Sequence, residues 1–221
     1  MPRIDAPTIA EHRDIIWKRL RDSFLEAIEA EGYASLSLAG VARRAGIARN
    51  TIYNYAPTKD ALLVAVVKSE VEPFVAALVE ASSGIDDPED RLALVVRRQL
   101  AALVPGVRGL PIVNMTETML PAEVSASLTA CFAPVLAIVA GIVEQGIAAS
   151  VFRPVADVPR LVDMMVGVMV AARRAILAGE PPDLIADETT EFLLGGLRGR
   201  KTRGRAEQKH ASAERPPATP S

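Results

Sequence analysis

The chain has 221 residues, half of them hydrophobic, with 25 basic and 27 acidic side chains and a formal net charge of −2. That length allows a small domain plus a medium one. The near-neutral balance excludes a protein that coats nucleic acid through bulk charge, so any DNA contact has to come from a local patch. The single cysteine, Cys131, excludes an internal disulfide and a Cys-rich metal site and fits a reducing compartment. The start lacks the basic, apolar and small-residue order of a secretory signal. The most apolar runs, 135–143 and 164–172, fall short of the ~18 residues a membrane span requires. A soluble cytoplasmic protein without a membrane partner is expected.

Residues 1–10 read as a loose arm carrying Arg3. A first helix is expected over 11–30, with Trp17, Leu20, Phe24, Leu25 and Ile28 on one stripe. Gly32 ends it. A second, short helix is expected over 38–45. Ser37 is placed as its N-cap, and Leu38, Val41, Ala42 and Ala45 lie at helical spacing. Gly46 follows at once and lets the chain reverse. A third helix over 47–54 buries Ile47 and Ile52 and turns Arg49, Asn50, Thr51, Tyr53 and Asn54 outward. Helix, glycine turn and helix make the sequence form of a helix-turn-helix.

No Asp or Glu occurs from Gly32 to Lys59, whereas Arg43, Arg44, Arg49 and Lys59 do. Phosphate binding needs such a locally positive surface. Arg49 and Asn50 are the residue types that bond guanine and adenine edges bidentately. Ser37, Arg43, Arg44, Thr51, Tyr53, Tyr55 and Lys59 can donate to phosphate oxygens. Composition alone leaves open an ordinary helical hairpin with a solvated polar side.

The spaced set Gly32-Tyr33, Ser37, Val41-Ala42, Ala45-Gly46-Ile47, Thr51-Ile52-Tyr53 and Lys59 followed by Leu62 resembles the N-terminal DNA-binding domain of the TetR family of bacterial transcriptional regulators. The resemblance covers about the first quarter of the chain. It departs at Tyr55-Ala56, where the family usually has His-Phe, and at Ala48, where a capping Ser is common.

Thr58 can cap a fourth helix that runs from about Lys59 toward Ala81, with Pro73 expected to kink or interrupt it. The resemblance makes this the connecting helix that passes effector occupancy to the reading head. Further helices are expected over 88–103, 112–119, 122–149 with a bend at Pro134, 158–178 and 184–197. No segment alternates convincingly as a strand, so the class is all-α, a three-helix head followed by a larger helical domain. The expected division is a DNA-binding domain at 11–57, an effector-binding and dimerisation domain at 58–197 and a disordered basic tail at 198–221.

The helix over 158–178 is apolar on more than one face, so burial against a second copy is expected. A helix central to a monomer is the alternative. Val168, Ala171, Ala172, Ala175, Phe192, Leu193 and Leu197 are the interface candidates. The resemblance implies a four-helix interface from the last two helices of each subunit. Phe74, Met115, Met119, Phe132, Met164, Met165 and Met169 are candidates for a flexible apolar effector pocket. No phosphate loop, metal-ligand cluster or nucleophile elbow occurs, so neither an enzyme nor a bound metal or other cofactor is expected. The expected function is a dimeric, effector-responsive regulator of an inverted-repeat operator in double-stranded DNA, a repressor by family habit. A DNA-binding protein without an effector, or an activator, is the alternative.

Overall fold

The structure is a computed structural model that describes residues 8–102 and 120–198. Helix α1, Ile9–Glu31, begins earlier than its stripe suggests. Thr8 is the reason: its hydroxyl accepts from the Glu11 amide, and the Glu11 carboxylate accepts from the Thr8 amide at 3.0 Å. This reciprocal capping box satisfies two otherwise orphaned donors. Ile9 and Ala10 are therefore helical rather than part of a loose arm.

Helix α2, Leu38–Arg44, is capped by the Ser37 hydroxyl, which accepts from the Gly40 amide at 3.1 Å. Gly46 takes φ +68°, where a β-carbon would be strained. The recognition helix α3 is short, Arg49–Ile52, and continues as turns through Tyr55. Ala48 makes no side-chain cap bond, which is one physical reason for the brevity. The head closes around Leu20, Phe24, Val41, Ala42, Ile52 and Leu62, all buried.

Helix α4, Lys59–Ser82, runs 24 residues without a break at Pro73, about 36 Å at 1.5 Å per residue. Of the kink or interruption expected at Pro73, the interruption does not occur. A proline removes a single ladder bond, and the buried Val66, Val67, Val71 and Leu78 hold the helix on both sides of it. The opposite outcome holds at Pro134. The helix expected over 122–149 is two, α6 (Ala122–Cys131) and α7 (Ala133–Ala148), bent by 50° at Phe132. Pro134 falls within the first two positions of α7, where its missing amide costs nothing.

Helices α5 (Pro88–Ala101), α8 (Val158–Leu177) and α9 (Pro182–Leu197) complete the second domain. α5 packs on α9, α7, α4 and α8, while α6 lies against α4. Leu92, Val95, Leu100, Val143, Phe152 and Leu197 form its core. The chain between α7 and α8 is stapled to the end of α9: the Arg153 amide donates to the Leu197 carbonyl at 2.8 Å. Phe152 and Arg198 form an isolated bridge, with no strand among the described residues. The fold is all-α, as expected. No single described helix is long and apolar enough to cross a membrane. The helix expected over 112–119 lies outside the described residues.

Candidate nucleic-acid interface

The recognition segment presents Arg49, Asn50, Tyr53 and Asn54 to solvent, with Tyr53 47% exposed, while Ile52 is fully buried beneath them. The two base-reading candidates, Arg49 and Asn50, are thus exposed neighbours on one short helix. Arg43 at the end of α2 is exposed as well. These are the groups free to meet a duplex.

The phosphate candidates divide. Thr51 is half-buried. Ser37 is occupied as a helix cap. Arg44 is held by the Glu31 carboxylate of α1, so the flanking acid reaches into the acid-free window and offsets part of its charge. Lys59 is spent within the head: its Nζ donates to the Tyr33 carbonyl at 3.0 Å and to the Ala34 carbonyl at 3.3 Å. It also lies 4.4 Å above the centroid of the Tyr33 ring, a cation–π contact. An ammonium has three donors, and two are used here. Tyr33 in turn donates its hydroxyl to Asp60. Burial first, then that carboxylate, pushes the Tyr33 phenol well above its ordinary value, so it stays a donor.

Tyr55 also turns inward. Its ring stacks on Trp17 of α1, with centroids 6.3 Å apart and planes 18° from parallel. Its hydroxyl donates to the Arg13 carbonyl at 3.3 Å. Burial raises the phenol's pKa, against the pull of the nearby Arg13 charge. At the Tyr55-Ala56 departure, Ala56 is 1% exposed while its neighbour Tyr55 is engaged with Trp17. The sequence places Trp17 on the apolar stripe of the first helix but does not reveal its partner, because nothing in local periodicity pairs residues 38 positions apart.

A groove of about 160 Å³ opens between α1 and α2, lined by Glu31, Ser37, Arg43 and Arg44 among others. It is smaller than the ~300 Å³ at which ligand pockets begin. In the second domain Met165 is buried, and Phe74, Phe132 and Met169 are half-buried. Met164 is 65% exposed on the outer side of α8 and so lines no interior space of the protomer. Met115 and Met119 lie outside the described residues. Cys131 is half-buried, its thiol donates to the Ser127 carbonyl, and burial raises its pKa, which disfavours the reactive thiolate. Among the described residues no group of His, Cys, Asp and Glu is set to hold a metal ion.

The interface candidates divide too. Ala171 is exposed and Phe192 is 67% exposed, whereas Ala172, Leu193 and Leu197 are buried in the protomer's own core. Val168 and Ala175 are half-buried. The open stripe of α8 is Met164, Gly167, Val170, Ala171 and Arg174, and that of α9 is Leu184, Glu188, Phe192 and Gly195.

Residues 22–66 match the family described as bacterial regulatory proteins, tetR family. The chain is 24% identical over 185 residues to the fatty acid metabolism regulator protein of Bacillus subtilis (strain 168), covering 82% of this chain and 95% of that protein. Its fold is similar to that of the transcriptional regulator FadR from Bacillus subtilis in complex with stearoyl-CoA. The TM-score is 0.74 at 22% identity, over 82% of this chain and 100% of that one. It is also similar to AibR in complex with isovaleryl coenzyme A and operator DNA, with a TM-score of 0.64 at 18% identity, over 81% and 98% of the two chains. At these identities the solved structures speak for the fold, and the family match runs from within α1 through α2 and α3 into the start of α4. The N-terminal head of this chain is thus a tetR-family DNA-binding domain of the helix-turn-helix type.

Proposed function

We propose that two copies of this chain bind an inverted-repeat operator in the cytoplasm and leave it when a small acyl-bearing molecule of the acyl-thioester class occupies the second domain. The observation that carries the DNA half is the exposed group Arg49, Asn50, Tyr53 and Asn54 on a helix whose other side is fully buried. In this reading Arg49 and Asn50 bond base edges, and Arg43, Thr51 and Tyr53 hold phosphates. Two such helices related by a two-fold axis enter successive major grooves about 34–36 Å apart. The division at 11–57, 58–197 and 198–221 is part of the same reading.

The effector half is supported by the relatives: FadR was solved with stearoyl-CoA and AibR with isovaleryl coenzyme A. This chain offers flexible apolar side chains at Phe74, Phe132, Met165 and Met169, which suit an acyl chain. The dimer half is supported by the open apolar stripes of α8 and α9, since large exposed patches mark interaction sites.

Selection of bound duplexes from random DNA tests the reading, followed by titration of the bound complex with stearoyl-CoA, isovaleryl-CoA and free coenzyme A. The expected result is a two-fold symmetric sequence released by an acylated form and not by coenzyme A alone. Coupling of ~1–3 kcal/mol, about 5–150-fold in affinity, is the usual range. Arg49→Ala is expected to relax base preference at one position per half-site. Selection that returns no common sequence would overturn the regulator reading. A selected operator indifferent to all three compounds would leave DNA binding standing and remove the acyl-thioester effector.

A further inference from the structure

Tyr55 sits three residues past Ile52, where the recognition helix ends and the chain turns toward α4. Its amide donates to the Ile52 carbonyl at 2.9 Å, and the Ala56 amide donates to the same oxygen at 3.0 Å. The backbone of residue 55 is therefore part of the last turn of the reading element. Its side chain leaves that element altogether. The ring lies flat on Trp17, and the hydroxyl reaches the carbonyl of Arg13, one turn earlier on α1. That carbonyl has a second lone pair to offer beside its helical bond. Two contacts of different kinds, one turn apart on the same helix, fix both the distance and the rotation of the recognition helix relative to α1. α3 spans only Arg49–Ile52 and has no side-chain cap at Ala48. It holds little orientation of its own, because one turn of helix is not independently stable.

We propose that Tyr55 is a positioning residue for base reading: it sets the angle at which Arg49 and Asn50 enter the groove and makes no contact with DNA. The stack aligns the helix by packing, so the aromatic ring carries the effect and the hydroxyl refines it. This rests on the operator-binding reading above. It replaces the phosphate-donor role that residue type alone suggests for Tyr55. Base reading by bidentate side chains is sensitive to small misplacement, since sites are held to about 0.5 Å and 10–20°. A tilted helix loses base contacts while a phosphate contact made by a flexible Arg43 persists.

The test compares full-length wild-type protein with Tyr55→Phe and Tyr55→Leu, using the selected operator and a scrambled duplex at one salt concentration. Trp17 is the sole tryptophan of the chain, so its emission reports the stack directly. Tyr55→Phe is expected to keep operator affinity within about threefold and to keep the Trp17 emission maximum. Tyr55→Leu is expected to shift that emission to longer wavelength. It is also expected to lose about tenfold or more in operator affinity, the scale of one misread base contact, with scrambled-duplex affinity nearly unchanged. Affinities are compared below the melting transition of each variant, so a merely structural role would lower melting temperature without changing the operator-to-scrambled ratio. Equal losses in the Phe and Leu variants would assign the effect to the hydroxyl and overturn the proposal, as would an unchanged ratio in Tyr55→Leu. If the wild type itself fails to discriminate any duplex, the operator-binding reading falls first, and that outcome is distinct from the other two.

Discussion

The Arg21 guanidinium of α1 lies 3.3 Å from the Glu70 carboxylate of α4, three turns into the long helix that leaves the head. Together with Lys59 on Tyr33 and Tyr33 on Asp60, it joins the first half of α4 to the head as one unit. On the proposed function, a displacement of α4 by an effector in the second domain would be carried through these contacts to Arg49 and Asn50. Both partners are partly exposed, at 30% and 23%, so the pair is worth less than about 1 kcal/mol of stability. Glu70→Gln is expected to leave the melting temperature nearly unchanged and to shrink the ratio of operator affinities without and with effector. Equilibrium binding with and without an acylated thioester measures that ratio.

Lys59 and Arg43 separate structure from phosphate contact. Lys59→Ala removes two hydrogen bonds and a cation–π contact inside the head. Destabilisation of about 1–3 kcal/mol is expected, as for hydrogen bonds from a charged donor. The slope of log affinity against log salt should not change. Arg43→Ala should leave stability unchanged and lower that slope by about 1.8 for a bound dimer, about 0.9 for the one counterion released at each half-site. Chemical denaturation and a salt titration of DNA binding read the two effects.

Phe152 lies directly on Gly146. A β-carbon added at Gly146 would fall 2.1 Å from a ring carbon of Phe152, which is 2% exposed. Gly146→Ala is expected to destabilise the second domain by about 1–3 kcal/mol through overpacking. Phe152→Ala alone should cost about 3–5 kcal/mol. In the double variant the two losses should be clearly less than additive, because the clash vanishes with the ring. A denaturant series over the four proteins gives the coupling energy.

Phe192 and Leu193 are neighbours with opposite fates. Phe192→Asp, on the open stripe of α9, is expected to yield folded monomers in sedimentation and to weaken operator binding. Leu193→Asp, at a position 6% exposed, should instead unfold the second domain, because a buried unpaired carboxylate is costly.

Glu89 at the start of α5 receives both arms of the Arg198 guanidinium, at 2.8 and 2.5 Å. Its hydrogen bond to Arg198 holds the carboxyl below its ordinary value. A carboxyl lowered on folding stabilises the native state above its unfolded pKa, near 4.3. That contribution fades as pH falls through the lowered folded value. Wild-type protein should therefore lose stability more steeply below about pH 4.3 than Glu89→Gln. Denaturation midpoints between pH 6 and pH 3 test this.

Much of the head was legible in the residues. Ser37, Gly46 and Ile52 act locally, through a cap, a backbone turn and a buried stripe, and local effects leave a trace in nearby sequence. The same holds for Arg49, Asn50 and Tyr53, whose outward direction follows from the burial of Ile52. The fates of Lys59, Arg44 and Tyr55 were not legible, because each partner stands on another element: Tyr33, Glu31 and Trp17. Residue type shows that a side chain can donate to phosphate, and only packing shows whether it is already engaged. The two prolines make the same point. Pro73 and Pro134 each lack an amide donor, yet α4 runs through one and the chain breaks at the other. Composition and periodicity alone determined that this chain is helical and carries a polar reading helix near its start. Tertiary contact decided which cations stay free for DNA and which faces of α8 and α9 stay open, because burial depends on neighbours that the local pattern does not specify.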